Sequence, residues 1–282
     1  MNELTLRRAL PGLLCLSGCL HAVASEPTSP TGSLPIMAGL AFNTPQDAAP
    51  RGATRPSAPI VDDLYFLADV GVAIPQDVSL RNISASDTST GLSGAKLSLD
   101  PGVRFDLGLG YKFTDAFAIE LASGLIWNRV DKVEGTLTDT TTGFLGTDLP
   151  LEGGSGNVYN IPIMFNAQGR FPVGKDMKLV LGVGIGALWS DASITGVNSP
   201  LAPGILASVD GDSWAFAYQA NAGLEWVLAS NLTLGVRYAF LGTTDLNYGP
   251  ASFNTPLAVG TEDIRANALY THSILATLRL KF

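Results

Sequence analysis

Cysteine is nearly absent from this 282-residue chain: there are two, Cys15 and Cys19, and both lie before residue 20. If a leader carrying them is removed, the remaining chain has no disulfide framework, no Cys metal site and no Cys nucleophile. Histidine is as scarce, with His21 and His272 alone. Charged residues make up only 15% of the chain, yet no run of about 18 apolar residues occurs, so no transmembrane helix is encoded. An excess of positive charge is lacking too. The net charge is −8, and losing Arg7, Arg8 and Glu3 with the leader makes it one unit more negative, which argues against a nucleic-acid partner. What is abundant is apolar residue, 46% of the chain, and with no long run to hold it this must be dispersed along the sequence.

The first 24 residues read as a secretory signal. "MNELTLRR" supplies the basic end, "ALPGLLCLSGCL" the apolar stretch and "AVA" before Ser25 a small-x-small cleavage site. "LSGC" offers a competing reading as a lipobox, with Cys19 lipidated; cleavage after Ala24 is the preferred expectation. Residues 25–61 hold seven prolines and are expected to form an extended segment, with "LPIMAGLAF" part of that linker rather than a strand or plug.

From residue 62 to 282 the apolar residues alternate. "LYFLADVGVAI" sets Leu64, Phe66, Ala68, Val70, Val72 and Ile74 on one face, and "GVRFDLGLGYKF" does the same with Val103, Phe105, Leu107, Leu109, Tyr111 and Phe113. "FAIELASGLIW", "YNIPIMFNAQGRF", "KLVLGVGIGALW", "WAFAYQANAGLEW", "LTLGVRYAFL" and "YTHSILATLRLKF" follow the same rule. The links "TDA", "PVGKD" and "LASN" are tight, whereas 75–98, 128–158, 190–213 and 242–266 are long and rich in Thr, Ser, Gly and Asp. Eight runs of this length, with tight and long connections alternating, predict a closed eight-stranded antiparallel transmembrane β-barrel. Strand eight must then pair with strand one, because an unpaired edge is not tolerated in lipid. Both ends of the barrel chain fall on the short-turn side, expected to be periplasmic.

Charge placement follows the same division. Asp69, Arg104, Asp106, Glu120, Arg170, Glu225, Arg237 and Arg279, with Lys112, Lys178 and Lys281, all occupy the row opposite the bulky apolar one. A Lys or Arg turned to lipid at mid-bilayer costs about 2–4 kcal/mol, which enforces such segregation. Arg129 and Asp131 break the parity and are expected above the apolar zone. Trp127, Trp189, Trp214 and Trp226 stand on the apolar row near segment ends, as do Phe113, Phe117 and Phe171 at the short-turn ends and Tyr159 and Tyr270 at the long-loop ends. Two aromatic girdles at the lipid headgroups are expected.

The stretches "ADVGVAI", "GVRFDLGLGYKF" with the "TDAFAIEL" hairpin, "YNIPIMFNAQGRF" and the closing "LRLKF" resemble the small outer-membrane β-barrel family of OmpA-, OmpX-, OmpW- and opacity-protein type. The resemblance covers about 62–282. It implies that Phe282, supported by Leu280, Leu278 and Tyr270, is the signal read by the outer-membrane assembly machinery. It implies outer-membrane lipid and lipopolysaccharide as surroundings. The loops could extend the barrel outward as hairpins and meet an extracellular partner; a monomer and no cofactor are expected.

The eight inward charges comprise four arginines and four acids. A neutralised ion-pair network is the preferred reading, a gated small-ion pathway the alternative. Inward glycines such as Gly110, Gly182 and Gly184 leave room, either for water or for long side chains. No catalytic residue is assigned: His272 lies on the outward row and Ser273 points inward, so the two cannot share a face. No metal-ligand cluster is seen, and "GVGIG" at 182–186 sits mid-strand without a following helix, so it is no nucleotide loop. In the segment 128–158, Asp131, Glu134, Asp139, Asp148 and Glu152 face Arg129 and Lys132; a solvated loop is preferred to a cation bridge to lipopolysaccharide. The expected role is non-enzymatic, structural or surface-interacting. The alternatives are a narrow ion channel or a conduit for small apolar molecules, and, further off, a lipid-modifying enzyme.

Overall fold

The computed structural model describes residues 63–83, 90–139, 149–254 and 259–282. The leader, Cys19, the Pro-rich segment and Asp148 lie outside the described residues. Twelve strands follow one another: β1 (Leu64–Pro75), β2 (Val78–Ile83), β3 (Thr90–Leu99), β4 (Gly102–Thr114), β5 (Phe117–Asp139), β6 (Leu149–Pro172), β7 (Met177–Ser199), β8 (Ala202–Ala229), β9 (Leu232–Thr243), β10 (Leu246–Asn254), β11 (Val259–Ala266) and β12 (Tyr270–Lys281).

Eight of them close a ring. β1 pairs with β4, β4 with β5, and so on through β6, β7, β8, β9 and β12, which returns to β1; every pairing is antiparallel. Closure is made by β1 and β12, in register from Tyr65↔Lys281 to Pro75↔Thr271. Along each strand the outward residues are exposed and apolar, such as Leu109, Leu121, Val183, Ile185, Val236 and Ile274, while their neighbours are buried. A belt of this extent cannot face water in a monomer, and hydrocarbon is the medium that suits it. Among the described residues, no helix is long and apolar enough to cross a membrane.

The segments expected as long loops are largely strand. β5 to β8 run for 23 to 28 residues, or roughly 75–90 Å of chain at about 3.3 Å per residue, where a bilayer needs only about 9–11 residues. Their distal halves, together with β2, β3, β10 and β11, close a second ring in the order β2-β3-β5-β6-β7-β8-β10-β11. The physical reason is a second buried row. Val78, Leu80, Leu97, Val133, Leu151, Ile194, Val197, Tyr248 and Ile264 all turn inward and pack as an apolar core at the long-loop end. Ser79, Ser155, Ser193 and Thr195 alternate with them on the outside, which suits a strand with one wet face.

The two rings join differently on opposite sides. β5 to β8 pass through unbroken. The adjacent strands β4, β1, β12 and β9 stop at one level, at residues 100–101, 76–77, 267–269 and 244–245, before β3, β2, β11 and β10 continue. Pro75 and Pro101 border two of these breaks and cannot donate to a ladder. Side chains supplement the isolated backbone bonds that cross these breaks. Asn128 Nδ2 donates to the carbonyls of Asp100 at 3.0 Å and Ala73 at 3.5 Å, the Leu269 amide donates to Thr243 Oγ1 at 3.0 Å, and the Asn247 amide donates to Ser213 Oγ at 2.9 Å.

Candidate functional site: the barrel interior and its rims

Seven of the eight strands send charged side chains into the bore of the first ring. Asp69 of β1, Arg104 and Asp106 of β4, Glu120 of β5, Arg170 of β6, Glu225 of β8, Arg237 of β9 and Arg279 of β12 are all buried. Alternation alone brings them together: each sits one residue from a lipid-facing neighbour, so each must point into the cylinder.

Glu120 is the hub. Its carboxylate lies 3.3 Å from Arg170, 3.3 Å from Arg279 and 3.7 Å from Arg237. Arg237 also reaches Asp69 at 3.3 Å, Arg279 pairs closely with Glu225, and Arg104 pairs with Asp106 at 2.8 Å. Four cations and four carboxylates therefore neutralise one another where bare charge would be costly. Asn221 and one oxygen each of Asp69 and Asp106 have no protein hydrogen-bond partner; such positions in a polar interior are those that bound water completes.

Neutral residues do as much of the filling. The Tyr65 hydroxyl donates to Glu120 Oε1 at 2.8 Å and accepts from Arg170 Nη2 at 2.5 Å, and the guanidinium groups of Arg170 and Arg279 each lie 4.7 Å from its ring centroid. Gln168 donates to Glu120 Oε2 at 2.9 Å, and Gln219 links Arg104 at 2.9 Å to Asn166 at 3.1 Å. The inward glycines accommodate these groups. A Cβ at Gly110 would run into the Tyr65 ring, and one at Gly184 into Asn166 Oδ1. Charge counting in the sequence passes over Tyr65, Asn166, Gln168 and Gln219, although each stands on the inward row.

Above this polar layer the bore turns apolar. Ile126, Met164, Leu188, Leu241, Leu246 and Leu269 are buried to within 4% of full burial and belong to the same core as the second ring. Inside it, Tyr248 shares a hydrogen bond of 2.7 Å with Ser190 Oγ, and burial pushes its phenol up to about 12.

The aromatic residues mark two levels. Phe113, Phe117, Phe171, Trp226 and Phe282 are exposed at the short-turn end, where Phe113 packs 5.9 Å from Phe117 between ring centroids. Trp127, Tyr159, Trp189 and Trp214 lie at the other level, with Trp189 directly opposite Trp214 and Trp127 opposite Tyr159. Tyr270 belongs to this level too, stacked 5.9 Å from Phe240. Leu278 and Leu280 continue the outward row of β12 down to Phe282.

His272 is held on the outside. Tyr238 hydroxyl lies 2.7 Å from Nδ1 and Gln76 Nε2 lies 2.8 Å from Nε2, so both ring nitrogens are engaged. Ser273 faces the bore and receives Arg104 Nη1 at 3.4 Å. The two side chains stand on opposite faces of one strand. Arg129 and Asp131 are exposed beyond the Trp127 level, while Lys132 and Glu134 pair at 2.7 Å; Glu152 is exposed on β6. No group of three or more metal-ligating side chains occurs among the described residues.

A family model described as outer membrane protein beta-barrel domain matches residues 66–282. Among solved structures, Neisserial surface protein A is similar at 15% identity and a TM-score of 0.41, covering 78% of this chain and 97% of its own. OprG from Pseudomonas aeruginosa is similar at 16% and 0.40, covering 77% and 96%. The outer membrane protease OmpT from Escherichia coli is similar at 11% and 0.46, covering 79% and 97%. Likenesses this distant say nothing of role. No curated protein matches the chain.

Proposed function

The chain belongs to the outer membrane protein β-barrel domain family, and on that premise we propose that it is a non-enzymatic barrel whose work is structural and whose interacting surface is the long-loop end. The observation that carries this reading is the filled bore. An ion-pair layer centred on Glu120 and an apolar layer centred on Ile126 and Leu188 lie one above the other, each buried from water. An interior closed twice has little room for a solute path, and the second ring presents a stiff, wet wall instead.

In this reading the short turns and both ends of the barrel chain are periplasmic, the usual arrangement for barrels with short turns at one end. The assembly machinery reads Phe282 with the outward row above it, and the folded protein is a monomer in outer-membrane lipid. The separation of His272 from Ser273 supports the absence of a hydrolytic site. Planar-bilayer recording tests the reading: no stable unit conductance is expected. A steady conductance that shifts when Arg104 or Arg237 is neutralised would overturn it.

One observation favours a second reading, a conduit for small apolar molecules. The breaks in β4, β1, β12 and β9 stand side by side against the apolar layer, where the continuous ladder gives way to isolated backbone bonds, such as those from the Gln76 amide to the Tyr270 carbonyl and from the Asp100 amide to the Arg129 carbonyl, and to side-chain bonds of Asn128, Thr243 and Ser213. Asn128→Ala would loosen that seam; faster entry of an apolar dye into vesicles bearing the variant would support the conduit, and unchanged entry would count against it.

A further inference from the structure

Strands β5 and β6 are in register up to Arg129↔Asn157 and again from Gly135↔Leu151, and between these ladders they part. The cause is local on both sides. On β5, Val130 pairs with Leu99 and Lys132 with Ser98, so Asp131 is an extra residue, a bulge that bends its strand. On β6, Gly153 and Gly154 adopt φ of 87° and 99°, which side-chain-bearing residues rarely take.

The parting leaves a groove of about 620 Å³ on the outer wall, with Arg129, Asp131, Ser155, Asn157, Ser193 and Thr195 among the residues lining it. Register sets Arg129, Asn157 and Ser193 in one row across three strands, and Ser155 with Thr195 in the next. One row below stand Trp127 and Tyr159, and Trp127 Nε1 donates to Asn157 Oδ1 at 3.0 Å. Two residues of strand span about 7 Å, so the groove opens directly above the girdle, at headgroup depth rather than tail depth.

Its chemistry is specific. Arg129 is exposed and forms no ion pair among the described residues. A guanidinium at an interface is suited to bidentate binding of phosphate. Around it are three hydroxyls, one amide and the two carboxylates of Asp100 and Asp131, groups that pair with sugar hydroxyls. The volume falls in the range of about 300–1,000 Å³ usual for small-ligand sites. We propose that this groove binds the phosphorylated sugar headgroup of an outer-leaflet glycolipid, Arg129 holding a phosphate and Ser155, Asn157, Ser193 and Thr195 taking sugar hydroxyls. The assignment rests on the orientation given above, with the long-loop end toward the outer leaflet.

The test is thermophoretic titration of the refolded full barrel in detergent with lipopolysaccharide, with the same lipopolysaccharide dephosphorylated, and with inorganic phosphate. Arg129→Ala is expected to weaken binding about tenfold or more, the size of a lost charge-assisted contact. Arg129→Lys should restore part of it, dephosphorylation should reproduce the loss, and inorganic phosphate should fail to compete. Arg265→Ala, exposed on β11 outside the groove, should bind as the parent does. Equal binding by the parent and Arg129→Ala, or displacement by inorganic phosphate alone, would overturn the assignment. If Arg129→Ala lacks the heat-modifiable mobility of a folded barrel, the double change Ser193→Ala with Thr195→Ala takes its place: a loss of several-fold supports the site and unchanged binding refutes it. Failure here with folding intact would leave the barrel and its proposed structural role standing.

Discussion

The Tyr65 hydroxyl donates to Glu120 Oε1 at 2.8 Å, joining a neutral side chain of β1 to the acid on which three arginines converge. Removing that acid strands cations in the bore. Breaking a buried pair typically costs about 3–5 kcal/mol, so Glu120→Ala should lower the free energy of unfolding in lipid vesicles by that order. Tyr65→Phe removes two hydrogen bonds, one to Glu120 and one from Arg170, but leaves every ion pair in place, so it should cost less, about 1–3 kcal/mol. Urea titration of both variants checks the ranking, and a Glu120→Ala barrel as stable as the parent would contradict the hub.

Gly110 faces the Tyr65 ring closely enough that any Cβ there collides with it. Gly110→Val should therefore displace the ring and cost about 1–3 kcal/mol, as overpacked sites do. Pairing it with Tyr65→Ala should relieve the strain. A double variant as impaired as the sum of the two single changes would separate the residues physically.

Asp191 stands directly opposite Asp212 beyond the tryptophan level; burial first, then the carboxylates of Asp210 and Asp212, hold its carboxyl above the usual range. Opposed like charges weaken a ladder. Because the folded-state value is raised, the stabilisation from protonating Asp191 is fully present below the ordinary carboxylate value and is lost as pH rises through the raised one. Asp191→Asn should thus make the long-loop end more resistant to protease at neutral pH and flatten its pH dependence. Resistance equal to that of the parent across the acid range would refute this.

Phe282 is exposed, and its amide donates to the Leu64 carbonyl at 3.3 Å. One exposed ring adds little to the finished barrel, so deleting it should barely change refolding in detergent. In cells the same deletion should lower the assembled, heat-modifiable fraction several-fold. Normal insertion of the truncated chain would count against Phe282 as an assembly signal.

The lipid-spanning ring was legible in the sequence because hydrocarbon tolerates so few exceptions. Val103, Phe105, Leu107 and Leu109 could alternate with Arg104 and Asp106 in only one orientation. The second ring was hidden by composition: Thr, Ser, Gly and Asp read as loop, and partners such as Leu97 and Val133 lie far apart in sequence and are offset by bulges. The apolar layer was missed for a related reason. On β5 the inward row changes from Glu120 to Ile126 within six residues, and on β7 from Gly184 to Leu188. That change along one row is the signal that would have found it. The groove at Arg129 depends on a bulge and two left-handed glycines, and local alternation gives no notice of either.

The account depends above all on the outward row meeting hydrocarbon, and a nitroxide label at Val183, exposed on β7 midway between Met177 and Trp189, tests this most directly. In lipid vesicles the label should relax strongly with dissolved oxygen and weakly with a water-soluble paramagnetic complex. Strong relaxation by the aqueous reagent, or shielding from both, would place Val183 in water or in a protein core and contradict the barrel's placement.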